Sequence, residues 1–200
     1  MGPIILLLMS VQLPVPAVRA LPPSTAFTPL SPDCGRAYAG RMVSSDAADA
    51  DMAGISMVMH VRVCDAGGVQ IPFHVGDDRS RTWFLTQTPA GLRLKHRHRH
   101  ADGSLDRRTF YGGTATEPPL PLAGGGWRQQ FPVDDDSKRL FVAEGIPQST
   151  TNVWAIEHVP GRLFAYELRR EGRYFRVEFD LTRPVDLPPP PWGDADQAQR

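Results

Sequence analysis

The chain has 200 residues, with 22 basic and 22 acidic side chains, 20 prolines, 18 glycines and two cysteines. A formal net charge of zero gives no overall attraction for nucleic acid or anionic membranes, and this length suits one domain with a core of its own. No repeat of 20–50 residues is visible, which argues against a propeller or solenoid.

In chain order, "MGPIILLLMSVQLPVPAVRA" has an apolar core from Pro3 to Met9 and the small-residue pattern Val18-Arg19-Ala20. This is the layout of a secretory signal, residues 1–20, and predicts a secreted or periplasmic protein. Gln12, Pro14 and Pro16 break the run of about 20 apolar residues that a retained anchor needs, so no stable membrane insertion is expected after cleavage. Cleavage removes Arg19 alone among the charged residues and leaves a net charge of −1. In an exported chain Cys34 and Cys64 are an even count suited to one disulfide, with two buried thiols as the alternative.

Residues 21–45 read as a Pro/Ser/Thr-rich leader and lead-in, 46–185 as a β-domain, and 186–200 as a Pro-rich mobile tail. Within the domain the dominant period is two. Ile55, Met57, Met59, Val61 and Val63 alternate with polar residues, predicting a half-buried strand over 55–63. Residues 82–87 and 92–100 form strands about the turn Thr88-Pro89-Ala90-Gly91, and "RRTFYGG" is the return. Residues 112–126 are rich in Gly and Pro and read as a long surface loop; 127–131 resume the sheet. "DDDSKRLFVAEG" predicts one short helix near 135–144, with acids at its start and Gly145 at its end. Three strands follow, over 152–158, 163–169 and 174–181. In the last, Phe175, Val177, Phe179 and Leu181 share one face. The expected fold is all-β: a single antiparallel meander closing into a small barrel or a two-sheet sandwich.

The chemistry, if any, concentrates in "LRLKHRHRHADGS". On a strand Leu92, Leu94, His96, His98 and His100 share one face, and Arg93, Lys95, Arg97 and Arg99 the other. The histidines therefore continue an apolar face and would line an opening, while the basic strip reads as solvated charge. Alternate positions lie about 6.6 Å apart, so His96 and His98 can share a divalent metal; His96 and His100, about 13 Å apart, cannot without a bend. Further ligands would have to come from Asp102, Asp106, His60, His158 or Glu157. The same side chains, with Tyr111 and Trp83, are candidates for a small-molecule site. If the turn is a type I turn with Gly91 in a bulge, Phe84 faces His96 and Thr82 faces His98, which puts Trp83 on the basic side. An even-numbered loop would instead pair Trp83 with His96 and Arg81 with His98. The first is favoured because Pro89 and Gly91 suit it.

Other constellations are weaker. His100, Asp102 and Ser104 lie in one turn and read as an Asx-type turn before a triad. Asp77-Asp78 and Asp134-Asp135-Asp136 read as solvated loop or helix-start charges. Glu157 and Glu167 fall on neighbouring strands, without a visible cleft for paired-carboxylate chemistry. No nucleophile elbow or phosphate-binding glycine loop occurs.

The segments "SRTWFLTQTPAGLRLKHRHRHADGSLDRRTFYGG" and "FAYELRREGRYFRVEFDLTRPVDLPPPPWG" resemble a family of small exported bacterial proteins. That family carries Arg-Thr-Trp, a Gly-Leu-Arg-Leu-Lys-His strand, a His-Arg-His-x-Asp-Gly-Ser turn and an Arg-Val-Glu-Phe-Asp strand before a proline-rich end. The resemblance implies export and no particular activity. Where the family tends to carry acids, this chain has Arg97 and Ala101, which removes two partners a metal could use. The expected role is small-ligand binding or an envelope structural part. The alternative is a metal-dependent or acid/base enzyme using His96, His98, Asp102, Asp106 and Tyr111, with a histidine as base.

Overall fold

A computed structural model describes residues 28–194. The expected signal, residues 1–20, lies outside the described residues. Twelve strands among those described form one antiparallel sheet, curled into a half-barrel. They are β1 (Ala37–Met42), β2 (Met57–His60), β3 (Val63–Asp65), β4 (Gly68–Val75), β5 (Asp78–Thr88), β6 (Gly91–His98), β7 (Tyr111–Thr114), β8 (Leu120–Leu122), β9 (Gly126–Pro132), β10 (Val153–Val159), β11 (Leu163–Arg170) and β12 (Arg173–Val185). The order across the sheet is β7-β6-β5-β4-β2-β1-β12-β11-β10-β9-β8, with β3 added on β4. Two meanders thus meet at β1, which pairs with β2 on one side and β12 on the other.

The period-two pattern places the core. Phe175, Val177, Phe179 and Leu181 of β12 are buried, as are Ile71 and Phe73 of β4, Trp83 and Leu85 of β5, and Trp154 and Ile156 of β10. All face the concave side, where removing their apolar surface from water contributes about 25 cal/mol per Å². Helix α1 (Asp135–Ala143) is the single α-helix among the described residues, close to the expected span. Asp134 caps it, accepting from the Ser137 amide at 2.9 Å. Gly145, at φ 71°, ends it, and the Ile146 amide donates to the Phe141 carbonyl at 2.9 Å. The helix sits at the seam where the sheet nearly closes: Gly113 bridges Val133, and the Asp134 amide donates to the Gly112 carbonyl at 3.0 Å. A Cβ on Gly113 would stand 1.9 Å from the Pro132 carbonyl oxygen, so only glycine permits this approach.

Several sequence expectations are corrected. The lead-in contains β1, a central strand whose Tyr38 is fully buried, because its Ala-Tyr-Ala-Gly run is small enough to lie against Phe179 and β2. The strand expected over 55–63 divides into β2 and β3. Strand β4 was not expected, although Val69, Ile71, Phe73 and Val75 alternate around Pro72 and are buried. The return expected in "RRTFYGG" is β7, which extends to Thr114, and the loop over 112–126 contains β8. The tail is not free up to Asp194: Pro191 is buried, and the Trp192 amide donates to the Arg79 carbonyl at 3.1 Å.

Cys34 and Cys64 form the expected disulfide, their Cα atoms 6.2 Å apart. Beside it, under the end of the half-barrel, Leu30 is fully buried, and Asp33 accepts from the Tyr38 hydroxyl at 2.8 Å and lies 3.0 Å from His158 Nε2. This cluster closes one end of the fold and leaves the other open.

Candidate functional site

The β5–β6 hairpin sets the geometry of the open end. Thr88 pairs with Gly91 across the two-residue turn Pro89-Ala90, so Trp83 faces His96 and Arg81 faces His98. This overturns the favoured bulged register. Thr88 Oγ1 organises the short turn, donating to the Gly91 carbonyl at 2.8 Å and accepting from the Ala90 amide at 3.2 Å. Gly91 is required instead by the close passage of the Ala115 carbonyl, 2.7 Å from where its Cβ would be. Trp83 consequently belongs to the concave side, stacked on Tyr166 at 4.5 Å and Phe73 at 4.8 Å, and it is Phe84 that carries a guanidinium, that of Arg97, at 5.1 Å.

His96 and His98 both point into the concavity, as their parity requires. His96 is 3% exposed and holds two hydrogen bonds. Its Nδ1 lies 3.1 Å from the Tyr111 carbonyl oxygen, which only accepts, so Nδ1 donates and Nε2 accepts from the Tyr166 hydroxyl at 2.8 Å. Burial, then the neighbouring His98, pushes its pKa down to about 3. His98 Nε2 meets the Tyr111 hydroxyl at 2.9 Å, and burial followed by the Arg81 charge lowers its pKa to about 4. Burial raises the Tyr111 phenol to about 12 and carries Tyr166 well above its ordinary value. Both imidazoles are neutral and both phenols protonated at pH 7.

A metal on His96 Nε2 would displace the Tyr166 hydroxyl, and the Nε2 atoms of both histidines are already engaged by tyrosines. His100 lies past the strand end, 3.8 Å from Asp106. Among the described residues no three His, Cys, Asp or Glu side chains are grouped to hold an ion. Of the more distant candidates, His158 is at the closed end with Asp33, and His60 is buried on β2.

A cavity of about 720 Å³ opens between α1 with the turn after it, the loop after β6, and the β11–β12 hairpin. His98, His100, Asp106 and Tyr111 line it, so four of the expected residues come together. His96 and Trp83 line a smaller adjoining recess of about 160 Å³, which shares His98, Tyr111 and Tyr166 with the first. Asp102 lines neither; it accepts from the Ser104 amide at 2.8 Å and the Ser104 hydroxyl at 2.7 Å, the Asx-type turn expected of it. Trp154, Tyr166, Leu168, Phe141, Arg170 and Arg173 are among the other residues that line the site and were not singled out from the sequence. Alternation marks Trp154, Tyr166 and Leu168 as members of one strand face each, but not which wall they build.

The remaining charges lie elsewhere. Glu157 and Glu167 stand on the convex face, bound by arginines: Arg128 to Glu167 at 2.7 Å and Arg176 to Glu157 at 3.1 Å. Asp134 is the helix-start charge expected and also pairs with Lys95 at 2.6 Å, while Asp78 pairs with Arg81 at 2.5 Å and is not plain solvated charge. No protein-family model, curated protein or solved structure matches the chain.

Proposed function

We propose that this is an exported domain of the family that the His-Arg-His-x-Asp-Gly-Ser turn resembles, and that it binds a small molecule in the open end of its half-barrel. The observation that carries the reading is the cavity of about 720 Å³ with Tyr111, Trp154 and Tyr166 in its wall. This volume is within the range of roughly 300–1,000 Å³ used for small-molecule sites, and the aromatic rings give it apolar surface, while ten of its sixteen lining residues are charged or polar. The disulfide fits an oxidising compartment, and no helix of the described residues is long and apolar enough to cross a membrane.

The probe 1-anilinonaphthalene-8-sulfonate tests this. Its fluorescence titration should saturate at one site per chain, and Ile146→Trp, which puts an indole into the cavity, should abolish it. Binding that does not saturate, or that Ile146→Trp leaves unchanged, would overturn the reading.

The 2.9 Å contact between His98 Nε2 and the Tyr111 hydroxyl supports a second reading, acid/base catalysis, since a neutral imidazole in a cavity can accept a proton. Depressed basicity makes His98 a weak base at pH 7, and binding is preferred for that reason.

A further inference from the structure

We infer that the ligand is an amphipathic organic anion, a carboxylate or sulfonate head on a flat apolar body, with the head held by Arg170; this rests on the cavity being a binding site. The cavity has a wall and a rim of different chemistry. In the wall both phenol hydroxyls are already used: the Tyr166 hydroxyl donates to His96 and the Tyr111 hydroxyl pairs with His98. What faces the space is therefore ring surface from Tyr111, Trp154 and Tyr166, together with Leu168. Such a surface takes an apolar body and offers a polar one no hydrogen bond.

At the rim the charges do not balance. Four guanidiniums, of Arg107, Arg108, Arg170 and Arg173, line the cavity against two carboxylates, of Asp106 and Glu144. Arg173 is neutralised from behind by Asp46 at 3.1 Å and Asp49 at 2.5 Å. Arg107 and Arg108 share one acid, Glu144, at 2.9 and 3.8 Å. Asp106 accepts the Arg108 backbone amide at 2.6 Å and lies 3.8 Å from His100. Arg170 reaches no carboxylate among the described residues; its side-chain partner is the Asn152 amide oxygen at 3.1 Å. A half-buried guanidinium bound only to a neutral oxygen keeps donors and charge for an incoming anion, and a planar fork matches a carboxylate or sulfonate.

The comparison that isolates the head uses two probes with the same ring system: 1-anilinonaphthalene-8-sulfonate and its uncharged parent N-phenyl-1-naphthylamine. The sulfonate should bind about tenfold more tightly, the scale of one charge-assisted hydrogen-bonded contact. Arg170→Gln should erase that preference and leave the affinity for the uncharged probe unchanged, while Arg170→Lys should retain part of it. Equal affinities in the native protein, or a preference that survives Arg170→Gln, would overturn the anion assignment and leave the binding reading standing. Saturable binding of neither probe would overturn both.

Discussion

At the residue scale the structure hinges on two tyrosine–histidine pairs, and their chemistry is that of a satisfied wall. His96 is buried among Trp83, Tyr111, Trp154 and Tyr166, and every polar atom of its ring is bonded. Tyr166→Phe would leave Nε2 buried without a donor, at a cost of about 1–3 kcal/mol. Urea unfolding should show that loss with the slope unchanged, and unaltered stability would mean that the hydroxyl contributes nothing there. Strand parity made the direction of His96 and His98 legible. Their partners were not, because Tyr166 comes from a strand 70 residues farther on. No local pattern specifies which phenol crosses the barrel to meet which imidazole.

At the scale of elements, the basic strip of β6 has a purpose that its composition did not reveal. Lys95 bonds the helix cap Asp134, Arg97 bonds Asp194 at 2.6 Å, and Arg99 donates to the Gly103 carbonyl at 2.6 Å. Of these, Arg97 acts together with Arg79, which donates to the Pro190 carbonyl at 3.0 Å, to hold the proline-rich segment against the convex face. A polyproline segment loses little conformational freedom on docking, so a few bonds are enough to fix it. Arg97→Ala should release it. Amide hydrogen exchange over residues 186–194 should then rise about tenfold while β5 and β6 keep their protection. Exchange unchanged from the native protein would show that the segment is held without Arg97. The hairpin carries the same lesson: a shift of one residue in the turn moves Trp83 from one face of the sheet to the other, and Thr88 decides it by bonding across the tight loop.

At the scale of the whole molecule, the half-barrel keeps four histidines from protonating. Burial lowers His60, His74 and His98 to about 4 and His96 to about 3, all below the unfolded value of about 6.5. As pH falls below 6.5 the unfolded chain takes up these protons and the folded one does not until the lower values are reached. The stability these groups confer is therefore fully present above pH 6.5 and is lost as pH falls toward 4, with a slope of about 1.4 kcal/mol per pH unit for each histidine. The melting temperature should drop steeply between pH 6.5 and 4.5; a flat profile over that interval would contradict the burial of these rings. By itself the sequence determined the all-β class, the faces of β6 and β12 and the short helix near 135–144, because period and caps are local properties of the chain; the face of Trp83 and the cysteine pairing it left between alternatives. Only the tertiary structure decided that β1 stands at the centre of the sheet, that the prolines dock, and that His98, Tyr111, Trp154 and Arg170 share one cavity. Curvature and long-range register bring such residues together, and both are set by how the sheet buries its apolar face as a whole rather than by any one segment.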